Sequence, residues 1–204
     1  MIISYLCAGK KSGFRAVRKD YFHSARHRVV QLCKEGVILL SVFSLRRVLL
    51  AGEPSAMLHT MHEQLCAVGA RPFCYSAPFD EESLCRVLHQ GRFSCVIVPE
   101  LPSLCPGDPE DRLAALNILL GEVREAGVPL VMLLSTGGEE TVQLFSHALG
   151  CASGALGDPV SIQCICHAPD DPQGACFGAL ALGARFLSGE RTCTGAFTLN
   201  GEER

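Results

Sequence analysis

From Arg46 onward, short apolar runs alternate with longer amphipathic stretches, and that alternation leaves few architectures open to the chain. Val48–Ala51 reads as a strand ending in Gly52. Ser55 is placed to cap a helix reaching about Val68, with Met57, Met61, Leu65 and Val68 along one face. Gly69 stops it, and Arg71–Tyr75 follows as a second strand. Asp80 caps a helix to about Gln90, with Leu84, Val87 and Leu88 turned inward, ahead of a buried strand at Phe93–Val98. Pro99, Pro102, Pro106 and Pro109 then forbid a continuous helix. Helices over Glu110–Ala126 (closed by Gly127), Glu139–Ala152 and Gly174–Leu187 alternate with strands over Leu130–Leu134, Val160–Ile165 and Ala196–Leu199. Such alternation builds βαβ units and predicts an α/β fold: a mostly parallel sheet of about six strands with helices on both faces.

Composition agrees. Of 204 residues 48% are hydrophobic and 19% charged, and the mean hydropathy is +0.25, which fits parallel strands buried on both faces and excludes a disordered chain. The twelve cysteines lie largely in apolar runs (Cys95, Cys164, Cys166, Cys176), so they read as reduced small hydrophobes of a cytoplasmic protein rather than as a disulfide scaffold. The longest apolar stretch, Val37–Leu45, is too short to span a bilayer, and no membrane role is expected.

The formal net charge of -3 conceals an asymmetry. Residues 1–47 carry ten Lys/Arg against two acids, whereas residues 48–204 carry eight arginines against nineteen acids. A body so acidic is not expected to bind nucleic acid, because neutralising phosphates takes clustered cations. Residues 1–45 form a basic extension, with Lys10-Lys11, Arg15, Arg18-Lys19 and Arg26-His27-Arg28 and little periodicity. It reads as an unstructured leader, with a basic arm for nucleic acid or an acidic membrane as the alternative. A third expectation is a mis-annotated start, since Lys34-Glu35-Gly36 is what a purine-rich ribosome-binding sequence encodes when translated.

The second half resembles the short-chain dehydrogenase/reductase superfamily, including its extended epimerase and deoxysugar-reductase branch. The run from Asn117 through Val128-Pro-Leu-Val-Met-Leu-Leu-Ser135-Thr is similar to the family's asparagine helix and the strand ending in its active-site serine. Arg185-Phe-Leu-Ser and Thr194-Gly-Ala-Phe-Thr-Leu-Asn-Gly201 resemble the closing helix and final strand. Over roughly residues 47–201 the resemblance implies a Rossmann-like three-layer sandwich, catalytic positions at Ser135 and Asn117, and NAD(P) contacts at Gly52, Ser55, Ala56 and Asp80. It also implies oligomer or partner contacts through the helices of residues 110–126 and 139–152.

The departures point away from catalysis. The family's tyrosine and lysine should follow Ser135, yet no lysine occurs after Lys34 and no tyrosine after Tyr75. Of the three glycines of its phosphate loop, Gly52-Glu-Pro-Ser-Ala56-Met-Leu58 keeps the first, with Leu58 expected to crowd the helix–strand contact. One βα unit is missing between Arg71 and Cys95. The expectation is therefore a pseudoenzyme, a subunit or partner of an oxidoreductase. One alternative is an active NAD(P)-dependent oxidoreductase or epimerase using Ser135, His147 or His167. Residues 47–150 also resemble a response-regulator receiver domain, with Pro99 at the phosphoacceptor position, which makes a phosphorylation-independent signalling module the other alternative.

Two constellations carry less. His59 and His62 share a helix at i, i+3, but zinc needs further ligands that the sequence does not supply, so no metal site is assigned. Cys164 and Cys166 fall on one strand face and His167 on the other, which disfavours a nucleophile–base pair.

Overall fold

A computed structural model describes residues 2–5, 41–76, 80–153, 160–189 and 194–200. The basic run from Lys10 to Lys34 and the Lys34-Glu35-Gly36 segment lie outside the described residues. Among the described residues seven strands form one sheet: β1 (Ile2–Tyr5), β2 (Arg47–Ala51), β3 (Arg71–Tyr75), β4 (Cys95–Val98), β5 (Leu130–Ser135), β6 (Ser161–His167) and β7 (Gly195–Asn200). Five helices are described: α1 (Ala56–Ala67), α2 (Glu81–Gly91), α3 (Pro109–Glu125), α4 (Glu139–Ser153) and α5 (Pro172–Leu187). Strands β2 to β7 are mutually parallel, as the βαβ rhythm requires. The sheet order is β1-β7-β6-β5-β4-β2-β3, and β1 pairs antiparallel with β7 from Ile2↔Asn200 to Tyr5↔Phe197.

Counted along the parallel strands, the order begins 2-1-3-4-5, the flavodoxin-like version of a doubly wound sheet, and continues with a sixth strand. Among the described residues no further strand lies between β3 and β4, and β3 is left as an edge. Strand order does not separate the receiver resemblance from the reductase resemblance, because omitting that unit converts one order into the other over the first five strands.

Residue alternation divides the core. Leu49, Val96, Val98, Val131, Leu133, Ile162 and Cys164 face α2, α3 and α4, while Val48, Leu50, Cys95, Ile97, Met132, Leu134 and Ile165 face α1 and α5. The body also takes in residues ahead of Arg46. A 3-10 turn over Ser41–Phe43 inserts Phe43, fully buried, beneath α5. At Gly183 of α5 an added Cβ would stand 2.9 Å from Met132 Sδ and 3.2 Å from Phe43 Cζ, so the helix lies close on the sheet. Gly183→Val is expected to cost about 1–3 kcal/mol through overpacking, read as a lower urea midpoint at unchanged slope.

Candidate functional site

In a doubly wound sheet, ligands bind beyond the carboxyl ends of the strands, where the order reverses. Here that point lies between β2 and β4, under the Gly52–Ser55 loop and the proline-rich loop after Val98. The chain itself closes it. A 3-10 turn over Leu101–Ser103 folds across the crevice, with Leu101 and Leu104 fully buried. Glu53 N–H donates to Ser103 O at 2.9 Å, and Gly52 N–H donates to Tyr75 O at 3.0 Å. Gly52 sits at φ +137 with its missing Cβ 3.3 Å from Ser103 O, so its glycine character serves this loop-to-loop contact. Two backbone donors of this loop are thus taken up inside the protein.

The helix N-termini on the same side of the sheet are occupied as well. Ser55 Oγ accepts from Leu58 N–H at 3.2 Å, ahead of Ala56, the exposed first residue of α1. Asp80 accepts from Ser83 N–H at 2.7 Å, and that bond holds its carboxyl below the ordinary carboxylate range. Asp108 and Asp111 form a capping box at α3, and Asp171 accepts from Gly174 N–H at 2.8 Å at α5. Glu139 and Glu140 stand in the first turn of α4, and Glu140 pairs with Arg112. At the mouth of the crevice, burial and then the charge of Asp111 push the Cys105 thiol up, with Glu53 and Asp108 adding to the rise against the opposing pull of Arg112. Each of these helix starts carries an acid or hydroxyl, which at α1, α2, α3 and α5 takes part of the donor set a phosphate would use.

Ser135 is fully buried at the end of β5. Thr141 donates to Gly137 O at 3.2 Å, so the Ser135 hydroxyl donates to Thr141 Oγ1 at 2.7 Å and pins the β5–α4 loop. Asn117, exposed on α3, instead accepts from His147 Nε2 at 2.5 Å, and Cys151 Sγ lies 3.6 Å from the same nitrogen. The two family positions are held by separate networks. His167 is buried, donating Nδ1–H to Ala168 O at 2.9 Å, while Cys164 and Cys166 pack on the opposite face.

Leu58 is half-buried, packs against the core on the α1 side and lines a cleft of about 300 Å³ with Pro54, Ser55, His59, His62 and Cys74. The histidines there turn to different partners, His59 to Glu63 at 3.2 Å and His62 to Cys66 Sγ at 3.8 Å. No local signal marks residues 101–104 as the segment that fills the crevice. The prolines mark a helix break, but the destination of the loop depends on which strands are neighbours.

No protein-family profile and no curated protein matches the sequence. Among solved structures the chain is similar to BdcA (YjgI) from E. coli, at 15% identity and a TM-score of 0.54 over 78% of this chain and 100% of that one. It is also similar to a Sinorhizobium meliloti 1021 protein assigned to the short-chain dehydrogenases/reductases, at 12% identity and a TM-score of 0.53 over 82% and 90% of the two chains. The fold is therefore Rossmann-like, and at these identities the likeness is one of fold alone. No helix among the described residues is long and apolar enough to cross a membrane.

Proposed function

We propose that this chain is a non-catalytic protein on a dehydrogenase-like scaffold, acting in the cytoplasm as a subunit or binding partner of an oxidoreductase. The observation that carries this is the self-closed crevice, in which the Glu53 N–H to Ser103 O bond stands where a pyrophosphate would lie. The acids at the neighbouring helix starts support it, since a dinucleotide would bring its negative charges against Asp108, Asp111 and Glu53. The absence of lysine after Lys34 and of tyrosine after Tyr75 removes the proton relay that the resemblance would require. A partner would dock on the outer faces of α3 and α4, where Val142 is 63% exposed.

Fluorescence titration with NADH and NADPH is expected to show no saturable binding up to about 1 mM, weaker than roughly -4 kcal/mol. Saturation in the micromolar range, or substrate-dependent hydride transfer by the purified chain, would replace this proposal with the enzyme alternative. One observation favours the signalling alternative, the 2-1-3-4-5 order of the first five parallel strands, which receiver-like sheets share. The strands and helix beyond residue 150 favour the reductase scaffold.

A further inference from the structure

Three potential metal ligands converge away from the crevice, on the outer seam between α2 and α3. Cys85 and His89 are four residues apart on α2, so their side chains lie one above the other on the same flank of that helix. Glu122 reaches the same place from α3. The three ligand atoms all lie within 4.8 Å of one another. A carboxylate in mid-helix is ordinarily solvated or paired. Glu122 is only 6% exposed, and its buried Oε2 has no hydrogen-bond partner. Leaving such an oxygen unsatisfied is costly, and the Cys85 thiol, which hydrogen-bonds the same carboxylate, does not satisfy it.

Exposure is graded across the cluster, with Glu122 buried, Cys85 half-buried and His89 exposed. The seam thus opens outward at the imidazole, where water could complete a coordination sphere. Glu81 and Glu125 add negative charge around Cys85, whereas the nearby cation Arg86 is held by Glu82 at 2.8 Å. Tetrahedral zinc, with bonds of about 2.0–2.3 Å, needs its ligand atoms roughly 3.3–3.7 Å apart. Closing from the present spread asks for about 1 Å of rotamer adjustment, which the exposed His89 can supply.

We propose that Cys85, His89 and Glu122 form a divalent-metal site of the zinc class, three protein ligands with solvent in the fourth position, clamping α2 to α3. One sulfur, one nitrogen and one oxygen donor select a borderline or soft ion over magnesium or calcium. On binding, the thiol releases its proton to solvent and the sulfur joins the metal as thiolate.

The test uses the full chain, stripped of metal with a chelator under reducing conditions and then titrated with Co²⁺ and Zn²⁺. One equivalent of Co²⁺ is expected to bind and to give a thiolate-to-cobalt charge-transfer band, which Zn²⁺ removes by displacement. Cys85→Ser is expected to abolish the band. His89→Gln, an exposed change that leaves the fold intact, and the near-isosteric Glu122→Gln are each expected to weaken binding about tenfold or more. Co²⁺ giving no such band overturns the proposal. So does a band that survives Cys85→Ser, and its loss in Cys74→Ser would place the metal in the cleft lined by His59, His62 and Cys74. Unchanged affinity in His89→Gln likewise overturns it, whatever the folding of the other variants.

Discussion

Replacing Phe43 by alanine is expected to destabilise the protein by about 3–5 kcal/mol, the cost of removing a whole ring from a packed core. The residue belongs to a single 3-10 turn just before the first parallel strand, and short turns of this kind seldom carry such weight. This one is tied down. Leu45 N–H donates to Gly69 O at 2.8 Å, and Arg46 donates from its backbone to Phe43 O at 2.9 Å and from Nε to Val42 O at 2.7 Å. The ring has no exposed surface and lies in the same cluster as Val48, Leu130, Met132 and Leu182. Phe43→Leu keeps most of the volume and should lose about 1 kcal/mol. Urea unfolding of the two variants measures both numbers, and a loss below 1 kcal/mol for alanine would show that the ring is not part of the core. A chain beginning at residue 46, the boundary that composition suggests, lacks the ring and is expected to be at least as unstable as Phe43→Ala.

That boundary illustrates what was legible in the sequence. The helices and parallel strands from Arg47 to Asn200 follow from local pattern: period-2 runs bounded by glycine, helical faces such as Met57, Met61 and Leu65, and caps at Ser55 and Asp80. β1 was not read, because Ile2–Tyr5 is a tetrad without periodicity whose partner lies at Phe197–Asn200. Long-range pairing leaves no local mark. Phe43 was missed for a similar reason, since the charge shift at Arg46-Arg47 looked like an edge while the apolar residue before it packs under α5.

The candidate site was legible in position and illegible in state. Motif spacing places Gly52 and Ser55 between the first strand and its helix and Ser135 at a strand end, where the structure has them. Whether the crevice is open is decided by where residues 101–104 fold, and whether Ser135 is available is decided by Thr141, six residues on. Cys85 and His89 show their i, i+4 relation plainly. Glu122 reads as a surface charge until α3 is set beside α2. Each failure concerns tertiary register, which residue type and spacing do not encode one site at a time.

Raising the pH is expected to unfold this protein at modest alkalinity through its buried thiols. After Lys34 the chain has no lysine, and after Tyr75 no tyrosine, so cysteines dominate titration of the body above neutral pH. Cys95, Cys164 and Cys176 are fully buried, and burial is the first cause that raises each of them. It pushes Cys164 and Cys176 up to about 12, and Cys95 higher still. The unfolded chain ionises near the ordinary value of 9.0. A thiol raised in the folded state contributes its full stability below that value and loses it as pH climbs toward the folded value. Between the two, each buried thiol removes about 1.4 kcal/mol per pH unit, and the three together about 4. By pH 10.5 the loss reaches roughly 6 kcal/mol, comparable with the total stability of an ordinary domain. Thermal melts by circular dichroism from pH 7.5 to 11, with a thiol reductant present, should show a stable plateau to about pH 8.5 and then a steep fall. Cys164→Ala adds a pH-independent cavity cost but should reduce the alkaline slope by about a third. A melting temperature that stays level to pH 10.5 would mean that the three thiols ionise as readily in the folded chain as in the unfolded one, and the two-sided burial of β4 and β6 would have to be redrawn.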